Sequence, residues 1–436
     1  MKSKNIRNAV SIIFVFEDKI FSIIRQNFLR AFPGYTAFPG GKVDKKDESS
    51  IDPLLAAARR EMIEELSFDI ESESVVEIRK IGRALTPKFN PYRFNTHFYR
   101  VELKEKPVFK VDENEAKSFA WMTPKELISS FDSGDRLMVP PVRYFIEEFC
   151  LDMNFKKELV FENRFDLSVE VPMIEPIKNF IQVMPRSLTV PPADRTNAFL
   201  IGNMEKVLID PSPMDEDELT KFLNTISKYK ISKILITHHH PDHHKFVTKI
   251  AKFLDVDIYL SQFTHTRCLK VYGENYFEKV SCKFIKEGDF LTEWLDERVV
   301  AVEVPGHDEG QIALMPISKK WFIAGDLFQG VGTVVVGGEE GDMATYFKTL
   351  SKVIKLDPSC VVPSHGIALG GTNILKKTLE HRKHREEQIL EMYNKGISVE
   401  QMLAQIYFSV PEKVLKYARA NIESHLNKLK DENKII

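Results

Sequence analysis

The chain has 436 residues, 43% apolar, 28% charged and 11% aromatic. This excludes a disordered, collagen-like or disulfide-scaffold protein and leaves material for roughly two to four globular domains. Its 61 basic and 63 acidic side chains give a net charge of −2, so no global field attracts nucleic acid or anionic lipid, and any polyanion site is local.

Lys2, Lys4 and Arg7 lead into the apolar run Ala9–Phe16. The run is far shorter than the about 20 residues a span requires. It ends in Glu17-Asp18-Lys19 without a small-residue cleavage site, and FSIIR follows as the second strand of a hairpin would. Four dispersed cysteines, Cys150, Cys268, Cys282 and Cys360, form no C-x-x-C and fit a reducing compartment. The expectation is a soluble, cytoplasmic, unprocessed protein with no membrane partner.

The first third reads as α+β: strands at Ser11–Phe16, Phe21–Arg25 and Thr96–Glu102, a strong helix at Pro53–Leu66, and a helix at Val142–Phe149 after two prolines. Residues 151–180 show no periodicity, read as a linker or an edge strand, and place a boundary near 165.

Chemistry first concentrates around Pro53–Leu66. Asp52-Pro53 is a helix start, an acid cap followed by proline. Leu55, Ala58, Met62 and Leu66 share one face, which must be buried. Glu61, Glu64 and Glu65 share another, where like charges repel by a few tenths of a kcal/mol per pair. Arg59 and Arg60 on a solvated helix can compensate them, and so can Mg²⁺, whose octahedral shell takes carboxylates, waters and phosphates. Pro39-Gly40-Gly41 places close-approach backbone just upstream.

Arg60-Glu61-Met62-Ile63-Glu64-Glu65 behind that turn resembles the Nudix box residue for residue. The interval from Gly41 to Arg60 is five residues longer than the usual box, and Ser67 stands in place of the closing Gly. With FPGYTAFPGGKVDKKD upstream and MVPPVRYFIEEF downstream, the segment looks like the Nudix branch that includes coenzyme A diphosphatases. The resemblance implies that Glu61, Glu64 and Glu65 hold Mg²⁺ or Mn²⁺ against a diphosphate, and that Arg60 orients Glu61 or a neighbouring carboxylate. Asp52, eight residues before Arg60, stands where the family has its first glutamate, or merely caps the helix. Glu115 sits where some relatives place a further functional glutamate but reads here as a solvated loop residue.

From about 195 the sequence alternates strands with helices: NAFLIG, KVLID, a helix Asp215–Tyr229, KILITH, a helix His244–Leu254, DIYLS, RVVAVEV, WFIAGD, a helix Thr345–Leu356 and CVVPSH. This is layered α/β architecture. THHHPDHH follows one strand, and His307, Asp326 and His365 each follow another, so four strand ends deliver metal-ligand side chains.

The ordered set resembles the metallo-β-lactamase fold, an αββα sandwich with the motif His-x-His-x-Asp-His and distant His, Asp and His. The resemblance implies that His238, His240 and His307 bind one metal and Asp242, His243 and His365 a second, with Asp326 bridging and Asp242 also counted among the catalytic residues. Imidazole-rich sites suit zinc, and mixed His/Asp sets also accept iron or manganese. Two ions about 3.5–4 Å apart activate water for hydrolysis. Asp210 matches the family's structural aspartate near the site, and His239 and His244 read as bystanders. His244-Lys245 replaces the usual Gly-Gly.

Beyond Gly371 the segments Ile374–Lys395, Ser398–Tyr407 and Glu412–Lys430 read as helices. LEHRKHREEQIL (Leu379–Leu390) resembles the winged-helix tail of lactamase-β-like endoribonucleases. Residues 371–436 carry twelve basic and nine acidic side chains, a weak excess for phosphate backbones. The tail either packs on its neighbour or guides substrate.

The expected organisation is a Nudix domain over 1–165, a metallo-β-lactamase-fold domain over 166–370 and a small helical, winged-helix-like domain over 371–436. The expected function is bifunctional hydrolysis: zinc-dependent cleavage of phosphodiesters, with single-stranded RNA as partner, and Mg²⁺-dependent cleavage of nucleoside diphosphate derivatives. Two alternatives stand: acyl-coenzyme A thioester hydrolysis coupled to coenzyme A diphosphatase activity, and a Nudix domain that only senses. No motif encodes an oligomeric state.

Overall fold

Arg7–Phe16 and Lys19–Arg25 form the expected hairpin, with Val15 opposite Ile20. The structure is a computed structural model that describes residues 6–87, 93–162, 165–408 and 410–436. Lys2 and Lys4 lie outside the described residues. The chain divides into two units, Met1–Phe165 with Glu175–Lys178, and Asp166–Ile174 with Asn179–Ile436.

In the first unit Arg7–Phe16 is a central strand, parallel to Phe94–Leu103 and antiparallel to Lys19–Arg25. Its apolar run is continuous because both faces are covered. Val10, Ile12 and Phe14 join one core with the Pro53–Leu66 helix, while Ile13 and Val15 join another with the helices Pro124–Asp132 and Pro140–Leu151. Phe98 and Phe145 stack at 4.2 Å in the second core.

Ala58, Met62 and Leu66 are buried as their spacing predicts, and Leu55 is half-buried. Fully burying a side chain such as Met62 contributes about 1.5–3 kcal/mol. Two of the longer strands were not legible: Val75–Leu85, which pairs with Phe94–Leu103, and Ala116–Met122, which pairs with Lys19–Arg25. Glu77, Arg79, Lys80 and Arg83 break the apolar alternation of the first.

In the second unit one sheet runs Cys282–Phe284, Ile258–Leu260, Ile231–Leu235, Lys206–Ile209, Ala198–Ile201, Phe180–Val183. The other runs Phe290–Trp294, Glu297–Glu303, Ile312–Pro316, Phe322–Ile323, Cys360–Val362, Leu369–Gly370. An edge-to-face contact of Trp321 with Phe180 at 5.1 Å bridges the two sheets, and Trp321 also meets Trp294 of its own sheet edge to face at 5.7 Å. The helices Glu216–Ile226 and Val247–Leu254 pack on the outside of the first sheet and Met343–Leu356 on the second, completing an αββα sandwich.

Within the stretch read as a linker or an edge strand, Leu159–Phe161 is an edge strand beside Val75–Leu85, and at its end Phe180–Val183 pairs with Ala198–Ile201. The helix expected over His244–Leu254 is two pieces, Pro241–His244 and Val247–Leu254. Phe246 between them takes the left-handed conformation (φ 64°), and the Lys245 N–H donates to Ser212 Oγ at 3.1 Å. A positive φ at a non-glycine breaks the helix just after the position that is usually Gly-Gly.

The tail forms Asn373–Asn394, Val399–Ile406 and Leu415–Asp431 and belongs to the second unit. Ile389, Met392, Met402, Ile422 and Leu429 make a small core of its own. Among the described residues no helix is long and apolar enough to cross a membrane. All four cysteines are free thiols.

Candidate functional site

In the second unit each ligand candidate leaves the end of a strand: His238 to His243 after Ile231–Leu235, His307 after Glu297–Glu303, Asp326 after Phe322–Ile323 and His365 after Cys360–Val362. Strands end in step because the sheets hold them in register, so the loops converge at one edge. His238, His240 and His307 form one group whose ligand atoms lie within 4.8 Å of one another, and Asp242, His243 and His365 form another. His240 Nδ1 is 3.0 Å from His238 Nε2 and 3.1 Å from His307 Nε2. Three nitrogens on a tetrahedral zinc sit about 3.3 Å apart. Asp326 lies between the groups: Oδ1 is 3.5 Å from His365 Nε2 and 3.7 Å from His243 Nε2, while Oδ2 is 3.9 Å from His307 Nε2. Asp242 Oδ2 is 3.5 Å from His365 Nε2.

The far side of most rings is tied off. The Asp210 carboxylate accepts from the Thr237 N–H and the Thr237 hydroxyl, both at 2.7 Å, and from His243 Nδ1–H at 2.8 Å. Having donated its proton to Asp210, the Thr237 oxygen accepts from His238 Nδ1–H at 3.0 Å. His307 Nδ1–H donates to the Val335 carbonyl at 2.6 Å and His365 Nδ1–H to the Arg195 carbonyl at 2.9 Å. Each bond fixes a tautomer that leaves Nε2 with a lone pair facing inward. His240 is inverted, with Nδ1 inward and Nε2 3.6 Å from Glu340 Oε1.

The donor set fits divalent ions. His243 Nε2, His365 Nε2 and Asp326 Oδ1 are buried polar atoms with no hydrogen-bond partner, a cost that a bound cation removes. Burial by itself would lower the His243 pKa, yet the carboxylates of Asp242, Asp210 and Asp326 outweigh it and push the value up to about 10. Asp326 is held below the usual carboxylate range despite burial, by His365 and His243. Such concentrated negative charge calls for a cation.

His244 faces elsewhere, and His239 lies beside His240 and Glu340, with which its ligand atom forms a further group within 4.8 Å. His239 pairs with Asp308. His244 Nδ1 is 2.6 Å from the Tyr276 hydroxyl and Nε2 2.6 Å from the His239 carbonyl, and burial pushes its pKa down to about 4. Sequence reasoning missed Thr237, although it directly precedes His238, and Glu340, for which no local signal exists.

In the first unit Arg60 organises the acidic helix. Its Nε and Nη2 make a two-pronged bond to Asp47 at 3.1 and 2.8 Å, Nη1 reaches Glu61 at 2.7 Å and Glu64 at 3.1 Å, and Nη2 also donates to the Lys42 carbonyl. Asp52 is not part of this network. Its Oδ1 accepts from the Leu54 and Leu55 N–H groups at 3.0 and 3.1 Å, so it is the cap. Asp47, buried and six residues after Gly41, takes the place expected of Asp52, and the extra residues therefore follow it. The signal was present as spacing from the glycine rather than from the arginine.

A Cβ at Gly41 would stand 2.2 Å from Glu61 Oε1, so a larger residue there would displace the Glu61 carboxylate. The Gly40 N–H donates to Glu65 Oε2 at 3.1 Å. Glu65 is buried rather than on a solvated face. Burial pushes its pKa up to about 8, and Glu61 and Glu115 add to the rise against the Gly40 bond. Glu115 pairs with Arg25 at 3.8 Å. Ser67, where the box has glycine, adopts the left-handed conformation (φ 52°) and its N–H bonds the Ile63 carbonyl. Glu61, Glu64 and Glu65 stand within about one turn of the helix but do not make a tight ligand group. Among the described residues the tight ligand groups all lie in the second unit, so the helix suits a hydrated hard cation held by few protein oxygens.

Residues 191–365 match the model of the Metallo-beta-lactamase superfamily, residues 5–142 that of the NUDIX domain and residues 398–436 that of the Beta-lactamase associated winged helix domain. A Drosophila melanogaster relative, "Beta-lactamase-like protein 2 homolog", is 28% identical over 251 residues, 55% of this chain and 84% of its own. The "Hydroxyacylglutathione hydrolase" of Baumannia cicadellinicola is 32% identical over 130 residues, 29% of this chain and 43% of its own. The crystal structure of a Beta-lactamase domain protein from Burkholderia ambifaria superposes with a TM-score of 0.52 at 17% identity, over 63% of this chain and 92% of that one.

Proposed function

For a chain that is a metallo-hydrolase, carrying a Nudix domain, a metallo-beta-lactamase superfamily domain and its associated winged helix, we propose a bifunctional enzyme that cleaves phosphodiesters at the second unit and nucleoside diphosphate derivatives at the first. The observation that carries the reading is the inward convergence of seven ligand residues, four of them histidines whose far sides are tied to Asp210, Thr237 and backbone carbonyls. His238, His240 and His307 hold one ion and Asp242, His243 and His365 the other, with Asp326 facing both. The imidazole-rich set favours zinc. Two bound ions supply an activated water and polarise the bond under attack. The protein contributes the fixed tautomers and the carboxylate charge of Asp242 and Asp326, which hold the centre together without reorganisation.

In the first unit Glu61, Glu64 and Glu65 hold Mg²⁺ or Mn²⁺ against a diphosphate, and Arg60 keeps Glu61 and Glu64 turned toward it. Single-stranded RNA is the proposed substrate class of the second unit, in a cytoplasmic setting. Arg382 and Glu386 of the tail are buried, which removes them from substrate contact and leaves Lys383 and His384 on the solvent side.

A thioester reading is favoured by the similarity to the hydroxyacylglutathione hydrolase. One incubation with zinc, magnesium, an acyl-coenzyme A and a single-stranded RNA, followed by mass spectrometry, separates the readings. Shortened RNA supports the phosphodiester reading. Free coenzyme A, acyl-phosphopantetheine or adenosine bisphosphate moves the protein to coenzyme chemistry. Glu64→Gln and Glu65→Gln abolish the magnesium-dependent products of a working Nudix site and leave a sensor's partner activity unchanged.

A further inference from the structure

The second unit holds its two ligand groups by different means. Asp242 accepts from the Thr196 hydroxyl, His243 donates to Asp210 and His365 to the Arg195 carbonyl, all within the sandwich. His307 instead donates to the carbonyl of Val335, and Val334–Val336 belongs to neither helix nor strand. No ladder fixes that carbonyl, so another part of the chain must.

The C-terminal helices supply the bonds. Asn421 Oδ1 accepts from the Val336 N–H at 2.9 Å and from Arg382 Nη1 at 3.0 Å, and Arg382 Nη2 donates to the Val334 carbonyl. The peptide groups on both sides of Val335 are thereby pinned to two tail helices through a buried guanidinium and a buried amide. Gly337 follows, and a Cβ there would stand 2.5 Å from the Ala420 carbonyl, so the segment lies directly on the last helix. Three residues further, Glu340 faces His240 Nε2. The tail therefore bears, through one segment, on two of the three ligands of the His238/His240/His307 group, whereas among the described residues it makes no bond to the Thr196 hydroxyl or the Asp210 carboxylate behind the other.

We propose that Arg382 and Asn421 are positioning residues that clamp the Val334–Glu340 segment and thereby set the orientation of His307 and His240, so the tail tunes one metal site and not the other. The inference rests on the two-ion reading above. Outer partners of a ligand histidine typically set metal affinity by about 10- to 100-fold, and a clamp one bond further out acts at the lower end. A tail that only packs has no means of distinguishing the two ions.

The test is zinc affinity by chelator competition in the full chain, with folding checked by circular dichroism. Arg382→Met and Asn421→Leu remove the clamp, and Asn421→Asp keeps an acceptor oxygen for Arg382 and Val336. Gly337→Ala wedges the segment off the helix without touching either polar residue, and serves where Arg382→Met does not fold. An Asp242→Asn background reads the ion of the first group alone, and a His307→Ala background reads the second. The expected result is an about tenfold weaker first ion, a second ion within about threefold of wild type, and rescue by Asn421→Asp. Equal weakening of both ions, or weakening of neither, overturns the clamp while the two-ion centre stands. A wild-type chain that binds fewer than two ions overturns both.

Discussion

Asp210→Asn tests the logic of the metal centre at its base. The native carboxylate receives three donors: the Thr237 N–H, the Thr237 hydroxyl and His243 Nδ1–H. An asparagine has one acceptor oxygen and an NH₂ group, so it cannot serve all three. With its oxygen toward the Thr237 N–H, its NH₂ faces the hydroxyl and His243. The hydroxyl must then accept rather than donate, and its own proton turns to His238 Nδ1, while His243 Nδ1 becomes an acceptor too. Both rings thereby move their proton to Nε2, the atom that faces the ions, and one ligand of each group is blocked.

At about 10- to 100-fold per disturbed ligand, each ion loses about 1.4–2.8 kcal/mol of binding. The opposite amide orientation spares the tautomers but leaves the buried Thr237 N–H against an NH₂, costing about 1–3 kcal/mol of stability. Zinc titration against a chelator, with thermal unfolding of the zinc-loaded protein, reads both branches. A variant that binds two ions within about threefold of wild type and unfolds at the same temperature refutes the tautomer argument.

Three further outcomes follow from the first unit. Asp47→Ala strips the half-buried Arg60 of its two-pronged partner while Glu61, Glu64 and the Lys42 carbonyl remain, and destabilises the helix by about 1.5–3 kcal/mol, seen as faster amide exchange over Pro53–Leu66, whereas Asp52→Asn costs a few tenths because asparagine caps equally well; equal effects would restore Asp52 to the role Asp47 now holds. Glu65, with its pKa raised from 4.5 to about 8, carries a proton when folded at neutral pH. Without a cation the unit loses stability as pH rises from about 4.5 to 8, and Mg²⁺ binding, which displaces that proton, strengthens about tenfold per pH unit up to about 8 and then levels. Calorimetric titrations from pH 6 to 9 with no slope would remove burial as the cause, and Glu65→Gln should flatten the profile. Ser67→Gly relieves the left-handed backbone and stabilises by about 1 kcal/mol; a lower unfolding midpoint would contradict that.

The amino-acid sequence by itself determined the hairpin of Arg7–Phe16 and Lys19–Arg25, the Pro53–Leu66 helix, the strands that carry the histidines and the tail helices. In each case the information is local: an apolar run, a cap, a 3.6-residue period or a fixed spacing. It also made His238, His240, Asp242, His243, His307, Asp326 and His365 legible as one set, because strand ends in α/β sheets converge. What only the tertiary structure decided depends on contacts distant in sequence. Val75–Leu85 becomes a strand through its neighbours despite its charges. Asp47 displaces Asp52 as the partner of Arg60 because the insertion loops out after it. Glu65 is buried by packing that its helical position does not reveal. The tautomers of the ligand histidines are set by Asp210, Arg195 and Val335, and Val335 is held by Arg382 and Asn421 from helices far along the chain, where no spacing rule operates.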